Sequence, residues 1–248
     1  MPAASVVPLI AVAALAGAAL GWWLLAPWAS RNLTGGADAA ESAGSEPAGP
    51  EPGDAAPAPA APAPPAAPRW FRPVAALATA AAFAALTWSL GVSWLLPAAL
   101  AFAGTGIAMS LVDLAEQRLP NRMLGPSLVI VGTLLLVAGV ATASWWSLLW
   151  ALVGGIAMFA FYLIIAVIAP NGMGMGDVKL AFVVGLVVGY LGWALWILGL
   201  FLGIFVGGVF AVVALAARRV TLRGHIPFGP AMVVGAVLAL CVPSILAG

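Results

Sequence analysis

The chain has 248 residues, 64% of them hydrophobic and only 7% charged, with a mean hydropathy of +1.14 and a net charge of +1. A soluble domain carries about 25% charge, so a single water-soluble globule is excluded, and the near-neutral balance gives nucleic acid no electrostatic footprint. One cysteine, Cys241, excludes an internal disulfide framework and any zinc site built from several cysteines.

An apolar excess of this size belongs in lipid, where a crossing helix needs roughly 20 apolar residues. Eight such stretches are predicted, at about 5–28, 73–91, 94–113, 126–143, 146–169, 178–192, 194–216 and 227–246. The fold class expected is an all-α integral membrane protein, a bundle of about eight transmembrane helices. The first stretch (domain 1–30) lacks the basic start of a signal peptide and is long enough to cross, so it reads as a retained span.

Residues 31–68 differ in composition. They hold five of the eight acidic residues (Asp38, Glu41, Glu46, Glu51, Asp54) and nine of the twenty prolines. Alternating Ala and Pro builds no packed core, so a disordered, acidic, cytoplasmic linker is expected here. Residues 69–248 then form a seven-span unit.

All nine basic residues fall on alternate loops. Arg31, Arg69 and Arg72 flank the linker, Arg118 and Arg122 follow span three, Lys179 follows span five, and Arg218, Arg219 and Arg223 follow span seven. The loops near 92, 144 and 193 carry no charge. The excess of Lys and Arg marks the cytoplasmic side, which places both termini outside and the protein in the cell membrane. Trp22, Trp23, Trp28, Trp145 and Trp146 near span ends suit bilayer-interface anchors.

Outside the linker only Asp113, Glu116 and Asp177 are acidic, and ionisable groups in spans tend to mark function. Asp113 closes span three and Asp177 opens span six, both at the basic face. Two carboxylates sharing a site can activate a water and polarise a scissile carbonyl. Unit charges about 5 Å apart at an effective dielectric near 20 repel by roughly 3 kcal/mol, so such a pair keeps one proton between its members. The alternative is two separate interfacial acids, each solvated or paired with Arg118 or Lys179. Before Asp177 runs Asn171-Gly172-Met173-Gly174-Met175-Gly176. Each glycine costs a helix roughly 1 kcal/mol, so the chain is expected to be unwound here, with room for a substrate backbone. Transporters break helices in the same way, which keeps a transporter using Asp113 and Asp177 as proton or cation sites open. A non-catalytic assembly protein of a pilus or secretion complex is a third reading.

Gly174-Met175-Gly176-Asp177-Val178-Lys179, Asp113 six residues before Leu119-Pro120-Asn121, and Ile226-Pro227-Phe228-Gly229-Pro230 together resemble the type IV prepilin leader peptidases, intramembrane aspartic proteases with a G-x-G-D motif. The resemblance covers about 95–246. It implies Asp113 and Asp177 as the catalytic pair, with Gly174, Gly176, Lys179, Leu119, Pro120, Pro227, Phe228, Gly229 and Pro230 as supporting motif positions. It implies prepilin or pseudopilin substrates, whose short basic leader is cut at the cytoplasmic face. Peptidase activity would need no cofactor; S-adenosylmethionine would serve only an accompanying N-methylation. Many members carry two cysteine pairs, thought to bind zinc, in the first cytoplasmic loop. Here that loop has none, and no metal is expected. Glu116 reads as a solvated helix-end acid, His225 as a loop residue, Cys241 as a small packing residue, and Pro120 and Pro227 as helix boundaries. The sequence leaves the oligomeric state open.

Overall fold

A computed structural model describes residues 3–27, 70–116, 121–168, 173–216 and 228–247. These residues form helices and no strand. Helix α1 (Ala3–Leu20) runs into a wide π turn, Gly21–Leu25. It is followed by α2 (Phe71–Leu90), α3 (Leu96–Glu116), α4 (Asn121–Ala141), α5 (Trp145–Ile168), α6 (Met175–Tyr190), α7 (Trp193–Ala216) and α8 (Gly229–Ala247). The predicted linker, Leu119, Pro120, Pro227, Arg118, His225 and the three arginines after α7 lie outside the described residues.

Among the described residues, six helices are long and apolar enough to cross a membrane: those of α1 to α5 and α7. Their outward faces are apolar as well. Trp23 is 75% exposed and Trp146 73%, with Trp22, Trp145, Leu77, Val167 and Phe201 also exposed. In water those faces would be a liability, whereas lipid covers them at no cost.

Helix α6 is different. Its 16 residues rise about 24 Å, short of the roughly 30 Å hydrocarbon core. Twelve of them are buried inside the bundle, so protein rather than lipid surrounds this helix. Its tightest partner is α5. There Gly154 and Gly155 face Gly185 and Gly189, and a Cβ added at Gly189 would lie 2.7 Å from the Trp150 carbonyl oxygen. Small residues let the two backbones touch, the usual basis of helix association in lipid. The indole of Trp196 in α7 donates to the Gly154 carbonyl at 2.8 Å, and the hydroxyl of Ser89 in α2 donates to the Leu240 carbonyl of α8 at 2.8 Å. These two side chains thus find backbone acceptors within the bundle.

Two boundaries correct the sequence reading. Helix α4 starts at Asn121, not near 126, and holds Pro126 inside it. Proline there removes the bond to the Arg122 carbonyl, a single bond near the helix start. Helix α6 starts at Met175, so Gly176 is helical. Of the glycine run, Gly174 is extended (φ −78°, ψ 148°). Burial of nearly the whole helix offsets the roughly 1 kcal/mol cost of one glycine.

Candidate active site

Asp177 is the third residue of α6, with Gly174 as its N-cap. The Asp177 amide bonds the Gly174 carbonyl at 3.0 Å, closing a tight first turn. An acid at this position reaches back toward the N-cap backbone, and the backbone of Gly174 does border the Asp177 carboxyl. The side chain is 2% exposed, and neither carboxyl oxygen completes a hydrogen bond within the structure. It is therefore a buried acid bordered by backbone groups and held by none of them at full hydrogen-bond geometry.

Asp113 lies in the last turn of α3 and is 1% exposed. Its Oδ2 accepts the Gly229 amide at 3.2 Å. That amide is free to donate because Gly229 opens α8, and the first amides of a helix have no partner within it. The Phe228 carbonyl accepts the Met232 amide at 3.1 Å, which makes Phe228 the N-cap. Pro230 suits its place just inside the helix start, where its missing N–H costs nothing. The Phe228 ring anchors this start against α7. It fills the space over Gly207, where a Cβ would come within 2.8 Å of it.

The backbone of Phe228 also borders the Asp177 carboxyl. Two acids 64 positions apart therefore reach consecutive residues, Asp177 at Phe228 and Asp113 at Gly229. Consecutive Cα atoms are about 3.8 Å apart, so both carboxyls converge on the start of α8. Both acids are buried away from solvent. Gly174, Phe228 and Gly229 border this point, and Gly176 and Pro230 are their neighbours along the chain. Lys179 instead faces outward. It lines a groove of about 470 Å³ with Leu124, Leu128, Phe159 and Phe182, between α4, α5 and α6.

Sequence reasoning missed Tyr162. It is one of only two tyrosines, lies fully buried on α5, and is close enough to feel the charge of Asp177. A phenol in a helix otherwise nearly free of polar groups was the available signal. No group of three or more His, Cys, Asp or Glu side chains that could hold a metal ion occurs among the described residues.

Residues 100–212 match the model of the type IV leader peptidase family. The chain is 32% identical over 167 residues to a protein of Bacillus subtilis named prepilin leader peptidase/N-methyltransferase, covering 67% of this chain and 64% of that one. Proteins of the same name from Stutzerimonas stutzeri and Pseudomonas aeruginosa are each 31% identical, over 159 and 169 residues. The alignments cover 62% and 68% of this chain and 53% and 57% of those relatives. The chain thus spans between about half and two thirds of the curated relatives' lengths. No solved structure matches it. The matched segment, residues 100–212, is a type IV leader peptidase family domain, and it contains Asp113, Lys179 and the whole G-x-G-D element.

Proposed function

We infer that this chain is a membrane aspartic endopeptidase that removes the short basic leader from type IV prepilin-like or pseudopilin precursors at the cytoplasmic face of the cell membrane. The unit doing so is 69–248, with Asp113 and Asp177 as the catalytic pair. The observation that carries this reading is the convergence of two buried carboxyls on the start of α8. In a bundle this apolar, two acids brought together need a purpose that offsets the cost of burying them.

The chemistry follows from one shared proton. The ionised carboxyl removes a proton from a water molecule, whose oxygen attacks the scissile carbonyl carbon. The protonated carboxyl gives its proton to the carbonyl oxygen as the tetrahedral intermediate forms. Collapse breaks the C–N bond: the leaving nitrogen takes the proton that the first carboxyl had gained, and a hydroxyl of the intermediate returns its proton to the second carboxyl as the C=O bond reforms. The pair returns to its starting state. Gly174, extended and without a side chain, adds no bulk beside Asp177. The groove beside Lys179 is where the apolar stretch following the leader would lie.

N-methylation is not part of this proposal. S-adenosylmethionine is a sulfonium cation with a polar nucleoside, and two grooves lined by described residues do not suit it. One is apolar and carries the like charge of Lys179. The other, about 410 Å³ beside the π turn, offers chiefly the hydroxyls of Thr105 and Ser127, which bond each other at 2.8 Å.

The test is to co-express a prepilin-like substrate with Asp113→Asn or Asp177→Asn. Leader removal should fall by roughly a thousandfold or more, the scale set by losing a member of a catalytic unit, with folded protein retained. A purely structural or assembly role would survive both substitutions. Normal processing by Asp177→Asn ends the assignment.

A further inference from the structure

We propose that Tyr162 is a positioning residue of this site, its hydroxyl donating to the Asp177 carboxyl through one water. The proposal rests on the dyad reading above and adds a third side chain to it. Two buried polar groups carry it. The Asp177 carboxyl, nearly inaccessible, has no hydrogen bond from any described residue. A buried carboxyl in that state is costly, and such groups are nearly always satisfied once water is counted. Tyr162 is also fully buried, and buried tyrosine hydroxyls usually have a partner.

The geometry brings them to one place. Tyr162 sits on α5, the helix in tightest contact with α6, and Asp177 acts on it electrostatically. The position a Cβ on Gly203 would take is 3.8 Å from the Tyr162 hydroxyl, 3.6 Å from Met232 Cα and 3.9 Å from the Ala231 carbonyl oxygen. The hydroxyl is therefore at the level of the first turn of α8, the turn that opens with the Gly229 amide bonded to Asp113. The ring is fixed edge-on against Phe161 and enclosed by protein, so the hydroxyl has little freedom to turn elsewhere. The other groups bordering Asp177 are the backbones of Gly174 and Phe228. Tyr162 is the side-chain donor on a third face.

Such a donor would hold the Asp177 carboxyl in one rotamer and hold the attacking water in line. Tyr162→Phe keeps the ring and removes the hydroxyl. In the full-length protein, kcat for leader removal should fall about ten- to hundredfold, the range for a lost hydrogen bond to a charged group. KM and the thermal midpoint should stay near the wild-type values. A wild-type kcat in Tyr162→Phe overturns the proposal, as does a loss that only follows the folded fraction. An infrared measurement covers the case in which that variant folds poorly. 3,5-Difluorotyrosine at position 162 keeps the shape and strengthens the donor. It should shift the Asp177 carboxyl band, identified by difference against Asp177→Asn; an unmoved band overturns the proposal. If Tyr162→Phe is fully active while both Asp→Asn variants are dead, only the role of Tyr162 falls. If the Asp→Asn variants cleave normally, the dyad falls and Tyr162 with it.

Discussion

Gly185→Val tests whether the α5–α6 contact sets the position of Asp177. A Cβ at Gly185 would stand 2.9 Å from both the Gly154 carbonyl carbon and the Gly155 Cα. Carbon atoms rest at about 3.5 Å or more and the Gly154 carbonyl oxygen is nearer still, so the helices must part by more than about 0.6 Å for the Cβ alone. The obstacle is backbone, which cannot rotate aside, and the two valine methyls add to it. Overpacking of this kind costs about 1–3 kcal/mol, and a branched side chain against backbone belongs at the upper end. For a chain of this size each kcal/mol lowers the midpoint by roughly 2–4 °C, so a fall of about 6–12 °C is expected. Activity should suffer separately. Misplacing a reacting group by 1 Å can cost about a hundredfold, and α6 carries Asp177 in its first turn, so about tenfold is expected in the folded fraction. The assay is a thermal melt in detergent beside cleavage of a purified substrate. Gly132→Val is the control, because a Cβ there meets nothing within 4 Å. Gly185→Val with the melting point and cleavage of Gly132→Val would refute the reasoning.

Two further outcomes follow. Gly125→Leu adds a side chain to the open groove beside Lys179, where no atom lies within 4 Å of a new Cβ. It should raise KM for leader removal several-fold and leave kcat and the melting point unchanged, as loss of uniform binding does; an unchanged KM would show that the substrate lies elsewhere. Cleavage should also survive strong chelators and removal of part of residues 38–66, because a structural zinc needs four closely placed Cys or His ligands and the chain has Cys241 and His225 alone. Cleavage lost to a chelator and restored by zinc would contradict that.

The helices were legible because their signal is bulk apolar content. The predicted 73–91 became Phe71–Leu90, and 194–216 became Trp193–Ala216. The starts of α4 and α6 were misplaced where hydropathy carries no information. Arg122 and Asp177 lie inside helical first turns but look like loop residues on a hydropathy scale. The two aspartates were legible for the opposite reason, since an acid is rare in so apolar a chain. The Gly229 amide was found only as part of a motif, because a backbone donor has no side-chain signature. Tyr162 stayed hidden because a phenol fits an apolar span on any hydropathy scale, and only the fold brings it near Asp177.

The site is made of helix ends, and the physics of the bilayer makes that the natural place for it. Within a helix every amide and carbonyl is already engaged, and in lipid none can be left open. Free amides occur only at the first turn, so a buried carboxyl that needs a backbone donor must meet a helix start. Asp113 meets the start of α8, and Asp177 sits at the start of its own helix while facing α8 as well. Such ends normally emerge at the membrane surface, where water could hydrate an acid and abolish its special behaviour. Here the short α6 is enclosed by its neighbours, so Asp177 stays shielded although it lies at a helix terminus. That combination, terminal in the chain's geometry yet interior in the bundle, depends on α5 and α6 touching through glycine. A side chain at Gly185 therefore acts on the site from about two turns along the helix.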